Sequence, residues 1–314
     1  MSDASPDPAL HAVNADVHTP VLLAEVLRYL DVQPGRRYVD ATIDGGGHAA
    51  AILDASAPDG VLLGIDRDPD LPLALRGKLG REIDAGRLML AAGNFRDLAE
   101  ILSAQAFTPV DGLLVDLGLS SYHLDRSGRG FTYGRNEPLD MRFDPTCQDP
   151  TAADLLATPE VGDLTRLFAT YGEERFASRI ARSIVAHRRN APIQTSDDLL
   201  RIIEQSLPAK IRWRASRHAA RVFQALRIAV NDELGAVAAM LPQALAALAP
   251  GGRFVAICFH SLEDRLVKRF LRNEQQAGHV RLLTKKPVRA SEEEIQANSR
   301  AASAKLRAAE RVSG

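Results

Sequence analysis

At 314 residues, with 46% hydrophobic and 25% charged side chains, the chain has the composition of an ordinary soluble globular protein. Its length suits a large α/β unit with an insertion, or two domains. Cys147 and Cys258 stand far apart with no Cys or His at ligand spacing, which excludes a zinc site and a disulfide framework and fits a reducing cytoplasm.

The net charge of −1 hides an asymmetry. Residues 1–165 hold 13 basic against 26 acidic side chains, residues 166–227 hold 13 against 5, and residues 281–314 hold 8 against 4. That distribution points to a polyanionic partner held by the middle and the tail; helices with solvated arginine faces are the plainer alternative. No apolar run reaches membrane-spanning length, and MSDASPDPALHAVNADVH lacks the basic-then-apolar pattern of a signal peptide, so residues 1–17 read as a flexible polar tail.

The spacing of Val21, Leu22, Glu25, Val26 and Tyr29 predicts a short amphipathic helix, ended by Pro34-Gly35. Tyr38 to Asp66 then gives an apolar strand, a triple glycine opening a helix (Gly45 to Leu53), and a second strand (Val61 to Asp66). This is the first half of a doubly wound nucleotide-binding sheet. Gly45, Gly46 and Gly47 let a ligand approach the backbone, and Asp66, 20 positions after Gly46, falls where a carboxylate can accept hydrogen bonds from ribose hydroxyls. Gly45-x-Gly47-x-x-Ala50 also satisfies a dinucleotide fingerprint, so nicotinamide or flavin enzymes and S-adenosylmethionine enzymes both remain open at this point.

Arg87 to Ala92 reads as a third strand, and Phe95, a few residues beyond, would hang over the same carboxyl edge against an adenine or else fill the core. Asp111 to Gly118 is the fourth strand and ends in Asp116, placed beside a cofactor or capping the next helix. From Arg126 to about 150 the Gly-, Pro-, Arg- and Asp-rich sequence predicts an ordered site loop. Four or five helical patterns follow between about Thr151 and Arg214 with no strand among them, best read as an inserted helical lid. Two helical stretches run to Leu248, Arg253 to Phe259 forms another strand, and Ser261 with Asp264 has capping-box spacing. His260 could face a substrate or be only hydrogen-bonded in place. The tail offers a strand pair within VRLLTKKPV, then the small and basic residues of Asn298 to Arg307, which could lie along RNA or fray.

In order, HTPVLLAEVL, VDATIDGGGHA, GIDRDP, NFRDL, DGLLVDLGLSS, RGFTY, PLDMRFD, YGEERFASRIA, VFQALRIAVNDEL, GGRFVAICFHSLEDRLVK, KKP and NSRAASAKLR resemble the ribosomal RNA small subunit methyltransferase H family, from about His18 to Arg311. The resemblance implies a Rossmann-like class I methyltransferase sheet and transfer from S-adenosylmethionine to the exocyclic N4 of a cytosine in the decoding region. It divides the chain into a methyltransferase domain at 18–135 and 215–314 and an inserted helical substrate-recognition domain at 136–214. By the resemblance, Gly46, Gly47 and His48 look like the cofactor loop, Asp66 like the ribose-binding acid, Phe95 like the adenine-side aromatic, and Asp116 like the acid at the fourth strand end. His123, in SSYHLD, stands where the family has a glutamine, and Asp44 where it has the first glycine of the loop. Either the turn takes a conformation that tolerates the Asp44 side chain, or cofactor affinity suffers.

The exocyclic amine of cytosine is a poor nucleophile, so the site needs a hydrogen-bond acceptor for it; Asp116, or a backbone carbonyl beside it, is the candidate, with Asp116 the candidate catalytic residue. Methylation at ring carbon would need a thiolate, and neither cysteine has a setting for one. Arg129, Phe131, Tyr133, Arg142, Arg175, Arg179, Arg188, Arg189, Arg212, Arg214 and Arg217 are RNA-contact candidates by charge and ring. The expected partner is small-subunit ribosomal RNA within the assembled subunit, in the cytoplasm, with no metal, no membrane, and room for a homodimer. A nucleotide-dependent oxidoreductase and a non-catalytic ribosome-assembly factor are the rival readings.

Overall fold

The computed structural model describes residues 20–69, 71–119 and 121–312; the polar tail with His18 and Thr19, Asp70, Ser120 and the last two residues lie outside the described residues. Seven strands form one sheet: β1 (Arg37–Asp40), β2 (Val61–Asp66), β3 (Leu88–Ala92), β4 (Val110–Asp116), β5 (Leu248–Cys258), β6 (Val280–Leu282) and β7 (Lys305–Arg311). Their order is β3-β2-β1-β4-β5-β7-β6. The first five are parallel, with Asp40 opposite both Gly64 and Leu114, and β7 runs antiparallel between β5 and β6. The chain winds outward from β1 to β3 and returns on the other side as β4, so the carboxyl ends of β1 and β4 flank the switch in strand order, where such sheets bind ligands.

Thirteen α-helices surround the sheet among the described residues: α1 (Leu23–Leu30), α2 (Gly47–Ala55), α3 (Leu71–Asp84), α4 (Leu98–Ala104), α5 (Ser121–Asp125), α6 (Ala152–Ala157), α7 (Val161–Gly172), α8 (Ala177–Arg188), α9 (Ser196–Ser206), α10 (Ala215–Asn231), α11 (Glu233–Ala247), α12 (Ser261–Gln276) and α13 (Glu292–Ala297). Alternation along the strands divides the burial. Leu113 and Val115 face one core, shared with Leu98 of α4, Val237 and Met240 of α11 and Val267 of α12. Leu114 faces the other, shared with Val26, Ile52 and Leu75 of the first three helices. Successive strand residues point to opposite faces, so near-continuous apolar runs are what a sheet covered on both sides requires.

A third core is built from helices and the loop that precedes them. It runs from Phe131, Leu139 and Met141 through Phe168, Ile180, Ile184 and Leu199 to Val222, Leu226 and Val230. This core is wider than the expected 136–214 insert, because α10 buries its apolar stripe against α7 and not against the sheet. The helices meet closely at Gly172, where a Cβ would come within 2.6 Å of the Arg221 carbonyl oxygen. Thr151 and Thr195 start α6 and α9 with capping boxes closed by Asp154 and Asp198.

Three local expectations are corrected. The stretch Asn298 to Arg307 is held in the fold and not frayed: Ala301 and Ala304 are buried, and Lys305–Arg311 is a strand inside the sheet. The pair expected within VRLLTKKPV is instead β6 against β7, plus a single bridge from Val288 to Leu306. At α12 the cap is His260, not Ser261; its Nδ1 accepts from the Glu263 backbone N–H, and a Glu263 carboxylate oxygen accepts from the His260 N–H. The buried Glu263 carboxylate serves that end, and Asp264 instead pairs with Arg307 at 2.6 Å.

Candidate active site

The glycine turn after β1 is built on two left-handed residues. Gly46 has φ 73° and caps α2, and Asp44 has φ 43°, a region Asp enters more readily than most side chains. The turn therefore accommodates Asp44, whose N–H donates to Asp66 Oδ2 at 3.1 Å. A Cβ on Gly46 would strike Leu75 at 2.6 Å, and one on Gly47 would crowd Pro20, so internal packing constrains both glycines, and backbone conformation adds to this at Gly46.

Four acids converge on this edge. Asp66 accepts from the N–H of Asp44 and, at 2.9 Å, of Asp68. Asp40 accepts from the Thr42 N–H at 3.1 Å, and the Thr42 hydroxyl accepts from the Asp116 N–H at 2.7 Å, tying β1 to β4. Among the described residues, Asp40 Oδ2 and Asp116 Oδ1 are buried with no hydrogen-bond partner. Burial, reinforced by the neighbouring acids, pushes the carboxyls of Asp40 and Asp66 up to about 7 and that of Asp116 well above the usual range. The Asp116 side chain still keeps 24% of its surface open.

His48 stands over Asp116. Its Nε2 donates to the Val21 carbonyl oxygen at 3.0 Å, and its Nδ1 lies 3.7 Å from Asp116 Oδ2. Phe95 follows β3 in a short 3₁₀ turn and packs half-buried on the sheet core, two residues after Gly93 donates to the Asp66 carbonyl at 2.8 Å. The structure thus brings Gly46, Gly47, His48, Asp66 and Asp116 to one edge, with Phe95 beside it.

His123 belongs to an adjoining cluster. Its ring is buried between Phe131 and Phe143, with centroids 5.2 and 5.0 Å away, and its Nε2 is 3.2 Å from Asp68 Oδ2. Asp68 is fully buried and also receives the Arg129 guanidinium, which donates in addition to the carbonyls of Arg142 (3.0 Å) and Phe143 (2.7 Å). Arg129 is therefore no surface contact; it fastens the site loop to the strand-end acids. Gly130 can follow it only as glycine, since at φ 76° a Cβ would lie 2.3 Å from the Pro138 carbonyl oxygen. Arg142 is likewise occupied, by Asp140 and the Cys147 carbonyl.

On the far side of Asp116, Arg227 binds Glu233 through two hydrogen bonds of 2.7 and 2.9 Å. Glu263 nearby is buried, which raises its carboxyl, yet His260 and Arg227 outweigh that and hold it lowered. Glu233, His260 and Glu263 could together hold a cation by distance, but the Glu233 oxygens already face a guanidinium. Burial pushes the Cys258 thiol well up, which removes it as a thiolate. Sequence reasoning missed Asp40, Asp68 and this network; the signal for the first two lay in an acid inside the run Tyr38 to Thr42 and an acid two positions after Asp66.

The orphaned carboxylate oxygens and crowded acids fit a ligand carrying positive charge. The MraW methylase family profile matches residues 15–312. A ribosomal RNA small subunit methyltransferase H of Thermomicrobium roseum is 49% identical over 319 residues, 97% of this chain and 96% of its own. A protein of the same name from Methylococcus capsulatus is 48% identical over 92% of this chain and 99% of its own. A solved rRNA methylase of Streptococcus thermophilus aligns over 93% and 92% of the two chains, at 11% identity and a TM-score of 0.41. Matched along nearly its whole length by the profile and by close relatives, this chain belongs to the MraW methylase family.

Proposed function

We propose that the chain transfers the methyl group of S-adenosylmethionine to the exocyclic N4 of a cytosine in the decoding region of small-subunit ribosomal RNA, acting in the cytoplasm on the assembled subunit. The observation that carries this reading is Asp116: a desolvated carboxylate at the switch in strand order, with one oxygen unpartnered, beside a glycine turn and a second acid. The bound cofactor supplies an electrophilic methyl on a cationic sulfur. Gly46, Gly47 and His48 would hold its amino-acid side, Asp66 its ribose hydroxyls, and Phe95 its adenine.

Asp116 does the work on the acceptor. A cytosine amino group donates to its carboxylate, which localises electron density on nitrogen as positive charge develops there. A carboxylate stripped of water accepts that hydrogen bond more strongly than a hydrated one. His48, fixed by the Val21 carbonyl, packs against the second Asp116 oxygen and closes that side of the carboxylate. His123 and Arg129 fix Asp68, and through it the loop after β2, leaving the acids pre-aligned. The helical unit acts as the substrate-recognition domain, and the target base leaves its stack to reach the edge.

The test incubates unmethylated small subunits, and separately naked ribosomal RNA, with labelled S-adenosylmethionine and identifies the product nucleoside by mass spectrometry. N4-methylcytidine from subunits, and little from naked RNA, is expected. Subunit binding without label transfer would instead establish a non-catalytic assembly factor.

A further inference from the structure

The helical unit carries one side chain that folding does not explain. Trp213, in the 3₁₀ turn Ala209–Arg214 that leads into α10, is 72% exposed. It is the chain's single tryptophan. Around it stand Lys210, Arg212, Arg214 and Arg217, all exposed, and among the described residues none of the four forms an ion pair. The Arg214 guanidinium stacks 4.3 Å from the indole centroid. Other basic groups of the same unit are engaged: Arg188 donates to the Leu156 carbonyl, Arg179 to the Ser206 carbonyl, and Arg227 to Glu233. An open indole ringed by uncompensated cations, without an apolar surround, is not the anchor of a protein interface, where the flanking residues exclude water. It matches single-stranded nucleic acid, which presents a π-face and a phosphate together.

Resting on the function proposed above, we infer that Trp213 is a stacking platform for an unpaired nucleotide of the RNA substrate, with Lys210, Arg212 and Arg217 on the adjoining phosphates and Arg214 holding the indole from behind. This nucleotide is not the one methylated. From Ala215 to Arg227, which lies beside the acidic edge, α10 rises about 18 Å. The platform therefore grips the RNA several nucleotides from the reacting base, and it should govern affinity without touching the chemical step.

Because no other tryptophan competes, intrinsic fluorescence reads the platform directly. The full chain is titrated at low salt with a short single-stranded RNA oligonucleotide and with a blunt RNA duplex, and methyl transfer to unmethylated small subunits is followed in parallel. Expected are strong quenching by the single strand, little by the duplex, and for W213A a roughly tenfold higher KM for subunits with kcat within twofold. W213F should restore KM to within about threefold, and R212A should lower the salt slope of oligonucleotide binding by about one. A fluorescence unmoved by saturating single strand, equal quenching by the duplex, or an unchanged KM in W213A overturns the platform, whereas wild-type protein that transfers no methyl group overturns the function and leaves the quenching to judge the platform. A raised KM in W213A without quenching assigns the surface to a ribosomal protein and likewise overturns it.

Discussion

Replacing Asp40 with asparagine should make the ligand-free protein more stable, and only above weakly acid pH. The carboxyl is buried with Oδ2 unpartnered, and burial moves it from 3.8 up to about 7. Between those values the folded chain holds a proton that the unfolded chain has released, so stability falls as pH rises. This favourable contribution is complete below about pH 4 and gone above about pH 7; from pH 5 to pH 8 the loss is about 2–3 kcal/mol. Asparagine keeps the acceptor for Thr42 and cannot ionise. Removing the charge also eases Asp116, whose carboxyl Asp40 pushes upward. Urea melts of both proteins at pH 5, 6.5 and 8 give the difference in unfolding free energy, which should shift toward the variant by about 2–3 kcal/mol across that range. A pH-independent difference would refute the reasoning, because it would mean that Asp40 ionises inside the fold as readily as in the unfolded chain.

Asp116→Asn should lower kcat by about 10²–10⁴-fold, with cofactor affinity by calorimetry held within about fivefold; undiminished kcat would remove the acceptor role. For the wild type, the acid limb of the kcat–pH profile should lie above the ordinary carboxylate range, following the upward shift of Asp116. Arg129→Met removes the guanidinium from the buried Asp68 carboxylate, leaves that charge less compensated, and should cost about 3–5 kcal/mol in urea melts. Gly130→Ala should cost clearly more than Gly128→Ala: both are left-handed, but only the first meets a backbone oxygen. The double change Cys147→Ser with Cys258→Ala should leave methyl transfer standing, because neither thiol has a role in the reaction.

The sequence announced the first four strands because each is a short β-branched or leucine-rich run closed by an acid or a glycine, and the order of those closures foretold the acidic edge. It concealed β7. KLRAAER is alanine-rich and charged, with little strand propensity of its own, and becomes a strand because its backbone pairs with β5 and β6 while Leu306 and Ala308 enter one sheet core and Ala309 the other. Arg129 misled for a related reason: an arginine in a glycine-rich loop looks solvated until the fold closes it over Asp68. His260 was open between a substrate role and simple hydrogen bonding, and the side chain itself supplies the cap of α12. Gly46 was legible as a conformational requirement, whereas the limit set by Leu75 depends on a helix more than two turns of sequence away.

The helical unit leaves the sheet after β4 and rejoins it through α11, and its points of attachment cluster at one rim. Arg129 on Asp68, Arg67 on the Asn231 carbonyl at 3.2 Å, and Glu173 on Ser261 and Arg265 all fasten there. RNA that pulls on these helices therefore loads the same few bonds that line up the acids. Thermodynamic linkage makes any such effect mutual: whatever factor RNA imposes on cofactor affinity, the cofactor must return on RNA affinity. A block of helices anchored in this way is tied to the sheet at the rim that carries the acids.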